Sequence, residues 1–79
     1  MFIVEVLMSA FNDDSMVEEQ NRNTRYFNNI DDAMVDYTCQ HALLEECAHS
    51  DTGWDIFIIS IFGGSELLKM QTIRCEEEK

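Results

Sequence analysis

The chain has 79 residues, with 5 Lys and Arg against 16 Asp and Glu, for a net charge of −11. That length accommodates one domain. Five scattered cations (Arg22, Arg25, Lys69, Arg74, Lys79) build no basic patch, which argues against direct binding to nucleic-acid phosphates or to an anionic membrane. With 46% hydrophobic and 27% charged residues, the chain is a folded acidic domain and not a disordered acidic tail.

Residues 2–11 alternate. Phe2, Val4, Val6, Met8 and Ala10 make a wholly apolar face, and Ile3, Glu5, Leu7, Ser9 and Phe11 a mixed one. Period two with β-branched and aromatic content predicts a strand with one core face. Without a basic n-region, and with Glu5 interrupting it, this segment reads as a strand and not as an export signal. Asn12-Asp13-Asp14-Ser15 are turn formers that end it. Residues 12–23 then read as a mobile loop or as a short helix opened by a Ser15–Glu18 capping box. Thr24 to Phe27 is a short β-prone segment able to pair with the first strand.

The main helix starts at Asn28 or Asn29 as cap, with Asp31 and Asp32 in the first turn, where the helix dipole favours anions. Ile30, Ala33, Met34, Tyr37, His41, Leu44 and Ala48 form one stripe on a 3.6-residue period, and Asp31, Asp32, Asp36, Glu45 and Glu46 occupy the other sides. The helix is expected to end near His49. Residues 54–62 are a strand with two apolar faces, Trp54, Ile56, Ile58, Ser60 and Phe62 on one side and Phe57, Ile59 and Ile61 with Asp55 on the other. Such a strand is central and covered twice, or its second face meets another chain. Phe57, Ile59 and Ile61 are the residues expected at an oligomer interface. Gly63-Gly64 reads as a primed hairpin turn, residues 66–75 as an edge strand, and residues 76–79 as an acidic tail. The order β-(β)-α-β-β predicts a single α+β domain over residues 1–79, a two-layer sandwich of three to four antiparallel strands with one main helix on one face.

No constellation argues for an enzyme. Asp51-Thr52-Gly53 matches the triplet of aspartic proteases but follows a helix and precedes Trp54-Asp55, the setting of a helix-to-strand turn. Asp51, Gly53 and Asp55 have calcium-loop spacing, but the position of the bidentate Glu is Phe62. Cys39 and Cys47 on one helix stand about 12 Å apart along the axis, too far for one zinc ion. Cys47 and His49 would supply at most half of an intermolecular site, so no metal or cofactor is expected. The three cysteines, an odd number, suggest free buried thiols in a reducing cytoplasm.

The acids come in clusters, of which Asp13, Asp14, Glu18, Glu19, Asp31, Asp32, Asp36, Glu45 and Glu46 are the candidate partner-binding residues. Asp32 and Asp36, at i and i+4, stand about 6 Å apart along a helix axis, near the spacing of successive phosphates on a strand. Carboxylates at such intervals suit a groove built for phosphates, with fast, salt-dependent association. In size, architecture and charge the chain resembles small acidic inhibitors of the anti-CRISPR or anti-restriction type, encoded by phages and mobile elements. The resemblance covers composition and element order, and no motif carries it. It implies a stoichiometric inhibitor occupying the basic surface of a host nucleic-acid-binding protein, with no direct nucleic-acid contact. The alternative is a homo-oligomeric (dimeric) assembly or an antitoxin-type regulatory module without mimicry.

Overall fold

The structure, a computed structural model, describes residues 1–49 and 53–75. The expected architecture is the one observed. Strands β1 (Phe2–Phe11), β2 (Val17–Phe27), β3 (Ile56–Gly63) and β4 (Glu66–Arg74) form one antiparallel sheet in the order β2-β1-β3-β4, and helix α1 (Ile30–Ala48) packs on one face. The sheet is two hairpins joined through β1 and β3, which pair from Phe2 opposite Gly63 to Ser9 opposite Ile56.

That register decides which side chains form the core. Val4 lies opposite Ile61, Val6 opposite Ile59 and Met8 opposite Phe57. Directly opposed residues share a face, and this face is the one the helix covers with Ala33, Tyr37, Leu44 and Ala48. Phe57, Ile59 and Ile61 are therefore 2%, 0% and 0% exposed. They are the centre of the core and are not available as an oligomer interface, which corrects the expectation from sequence. The uncovered apolar face is the other one, bearing Ile3, Leu7, Ile56, Ile58 and Phe62.

Residues 12–23 are neither a short helix nor a loop beyond Met16. The turn is closed by Asn12, whose side-chain oxygen accepts from the Asp14 and Met16 amides at 3.0 and 3.1 Å, and Ser15 takes a positive φ of 61°. From Val17 the chain runs as β2 alongside β1, with a bulge where Ala10 faces Glu19 and Phe11 faces Val17. At the other hairpin Gly63 still pairs with Glu66, so the two-residue turn is Gly64-Ser65. Only Gly64 has positive φ, 62°, as expected of a turn of type II′. Gly63 is needed for another reason: a Cβ there would stand 3.1 Å from Leu68 Cδ1 and 3.3 Å from Phe2 Cε1.

Helix α1 begins as the sequence suggests. Asn29 is the cap, with extended backbone; its Oδ1 accepts from the Asp32 amide at 2.8 Å, and its Nδ2 donates to Asp32 Oδ2 at 2.9 Å. This satisfies one of the free amides of the first turn. Ile30 and Met34, placed on the buried stripe from sequence, are at the exposed margin, while Asp36 and Gln40 turn toward the sheet side.

Candidate functional site

Eight of the nine candidate carboxylates occupy three separate places. Asp13 and Asp14 sit in the β1–β2 turn, and Glu18 and Glu19 flank the bulge of β2; all four are exposed. Asp31 and Asp32 are exposed in the first turn of α1, Asp32 engaged by the capping Asn29. Glu45 and Glu46 are exposed at the far end of the helix, about 21 Å along its axis from Asp31 and Asp32.

Asp36 departs from this pattern. Its Oδ1 lies 3.4 Å from Arg25 Nη1 on β2, and its side chain is 14% exposed against 50% for Arg25. Its Oδ2 is buried without a hydrogen-bond partner. Asp36 therefore ties the helix to the sheet, and it does not join Asp32 in a phosphate-like pair. The sequence reading missed this because it rested on the helix alone; the partner belongs to β2.

Three of the four Lys and Arg side chains among the described residues have internal partners. Arg22 Nε lies 3.4 Å from Glu5 Oε1 across the uncovered sheet face, and Arg25 holds Asp36. Lys69 Nζ stands 5.3 Å from the centroid of the Tyr37 ring, a cation–π arrangement. Tyr37 itself donates to Gln71 Oε1 at 2.7 Å, and its burial raises the phenol above its ordinary value. His41 stacks against Tyr37 and lies 3.3 Å from Glu45 Oε1. Among the described residues, Asp13, Asp14, Glu18, Glu19, Asp31, Asp32 and Glu46 make no ion pair. With Asp55 and Glu66, which make none either, they are the unneutralised part of the described surface.

Other sequence candidates resolve into structural roles. Asp55 joins three strands: its Oδ2 accepts from the Phe11 amide at 2.6 Å, its own amide donates to Ser9 O, and its carbonyl accepts from the Cys75 amide. It lines an open groove of about 480 Å³ with Phe11, Asn12, Ile56, Arg74 and Cys75. Asp51, Thr52 and the acidic tail 76–79 lie outside the described residues. Cys39 and Cys47 are exposed and free, contrary to the expectation of buried thiols, because the inward stripe of α1 runs through Ala33, Tyr37, Leu44 and Ala48. Among the described residues no three of His, Cys, Asp and Glu converge on one point. Among the described residues no helix is long and apolar enough to cross a membrane.

No family model, curated protein or solved structure matches the chain.

Proposed function

We propose that the chain is a non-enzymatic acidic binding protein that inhibits a nucleic-acid-binding partner by occupying its basic surface, in the manner of a nucleic-acid mimic. One observation carries the reading: among the described residues the two arginines of β2 are paired with Glu5 and Asp36, while the exposed carboxylates of the β1–β2 hairpin and the helix ends carry no Lys or Arg partner. If the acids served only solubility, a net charge of magnitude about 2–8 would suffice for a domain this size; the chain carries −11. Self-repulsion of that surplus costs stability, and a basic partner recovers the cost on binding.

The binding elements are the carboxylates of the β1–β2 hairpin (Asp13, Asp14, Glu18, Glu19) and of the helix start (Asp31, Asp32), with Glu45 and Glu46 at the helix end. Asp36 is left out of the set. Lys and Arg side chains that otherwise hold phosphates would contact these groups, and association would be fast and steeply salt-dependent.

Competition is the test. Labelled duplex DNA is bound to each of a panel of CRISPR and restriction effector complexes, and the chain is added over a salt series. We expect displacement from at least one effector, weakening as salt rises. Replacing Asp31 and Asp32 together by Asn, or Asp13 and Asp14 together, should lower both affinity and salt slope. Failure to displace DNA from any effector, or displacement indifferent to salt and to all these carboxylates, overturns the proposal.

A further inference from the structure

We infer that the uncovered face of the sheet is the contact surface for a second copy of this chain, packed sheet against sheet.

The face is apolar and already assembled in the single chain. Ile3 lies between Tyr26 and Phe62, Leu7 lies beside Ile58, and Met70 on β4 lies beside Ser60. Tyr26 and Met70 are exposed. Ser9 and Ser60, which also point to this side, are buried although no layer covers them, so their larger neighbours close over them.

Charge selects the occupant. The face carries Glu5, Arg22 and Arg74, a local balance of +1 on a chain of net −11, and Glu5 is already paired with Arg22. Among the described residues the other acids lie on the helix, on the turns and on the other side of the sheet. A basic protein would be selected by free carboxylates, and the one carboxylate of this face, Glu5, is already paired with Arg22. A nucleic acid would be repelled by the chain as a whole. A second copy meets a largely apolar surface like its own, with one unpaired cation, and the described acids of the helix and turns lie outside the contact. Sheets packed face to face stand about 10 Å apart, so the two helices lie on the outside of a four-layer sandwich. Their carboxylates are then separated by well over the ~8 Å screening length of physiological salt.

Area is sufficient. Four strands at about 4.8 Å spacing and eight residues at about 3.4 Å give roughly 500 Å² in projection for one face. Two such faces bury at least about 1,000 Å² in total, the size at which a specific interface begins. The geometry is isologous, closed by a two-fold axis, as in most soluble homodimers.

Sedimentation of the purified chain tests this directly. The expected mass is twice the 9.2 kDa of the chain, at about 100 µM and retained in about 1 M NaCl, where screening is nearly complete. Ile58→Glu should give a folded monomer by circular dichroism. Should that variant fail to fold, peroxide oxidation of the wild-type chain decides. Met70, on the proposed interface, should oxidise several-fold more slowly at about 100 µM than at about 1 µM, by mass action. Met16, in the β1–β2 turn, should be indifferent to concentration. A monomer at the high concentration, a folded Ile58→Glu dimer, or equal concentration dependence for Met70 and Met16 overturns the inference.

Discussion

Removing Arg25 should destabilise the protein more than removing the charge of Asp36, although the two residues form one ion pair. The separation of 3.4 Å corresponds to a Coulomb energy of about 1 kcal/mol at the dielectric constant of water and about 5 at an effective value of 20. Arg25 is half exposed, so solvent screening places the net interaction near the lower limit, about 1–2 kcal/mol. The asymmetry comes from burial. Arg25→Gln leaves a mostly buried carboxylate without its cation and with one oxygen already lacking a hydrogen bond, for a total cost of about 2–3 kcal/mol. Asp36→Asn removes the buried charge at nearly constant shape and frees a guanidinium that water can solvate, for about 0–1 kcal/mol. The double variant should resemble Asp36→Asn. Urea unfolding of the four proteins, followed by far-UV circular dichroism, measures all three differences. The reasoning is refuted if Asp36→Asn costs as much as Arg25→Gln, or if the coupling between the sites is below about 0.5 kcal/mol. Asp36→Asn should also leave competition with DNA unchanged, unlike the Asp31 and Asp32 changes.

Two further outcomes follow from the core. Ile59→Ala empties space at a position with no exposure, and should cost about 2–4 kcal/mol, lowering the midpoint of thermal unfolding by about 8–32 °C; a shift below about 4 °C would mean that the helix does not cover this face. Tyr37 has its pKa raised above 10.0 by burial, so the folded chain holds the phenolic proton more tightly than the unfolded chain does. The stability this confers is complete below pH 10 and is lost as pH rises through the folded value. Stability measured over that alkaline range should therefore fall more steeply for the wild type than for Tyr37→Phe, and parallel curves would contradict the assignment.

The legible parts of the fold were those with one buried face. β1 alternates because one side of it is core, and α1 carries its cap and most of its inward stripe in plain view. β2 was recognised only in its last four residues because it is an edge strand exposed on most of its length; with only Thr24 and Phe27 half-buried, its sequence has no alternation to display. The two faces of β3 were exchanged because both are apolar. Ser60 was the available signal: the face that includes it is less apolar than Phe57, Ile59 and Ile61, and it matches the β1 face bearing Glu5, which Ser60 adjoins. The inward lean of Asp36 could not be read without β2, since the residue that makes it tolerable, Arg25, lies on the strand that the pattern concealed. Asp13 and Asp14 stand on a turn and Asp31, Asp32, Glu45 and Glu46 on the helix, as the sequence indicates, but Glu18 and Glu19 lie on β2 and not in a loop or short helix, and the division into three sites depends on the way the long hairpin and the helix are laid out in space.

The joining of two hairpins through β1 and β3 also bears on how the chain reaches this fold. Each hairpin is local, whereas the seam between them brings together Ser9 and Ile56, 47 positions apart, and Phe2 and Gly63, 61 apart. Loop-closure entropy makes such contacts slow to form. The rate-limiting event is then the meeting of the two hairpins, with α1 as the element that shortens the distance between them. Until that meeting, Val4, Val6, Ile59 and Ile61 stay open to water, and a cell making this protein must get each chain past that stage before its exposed strands find one another.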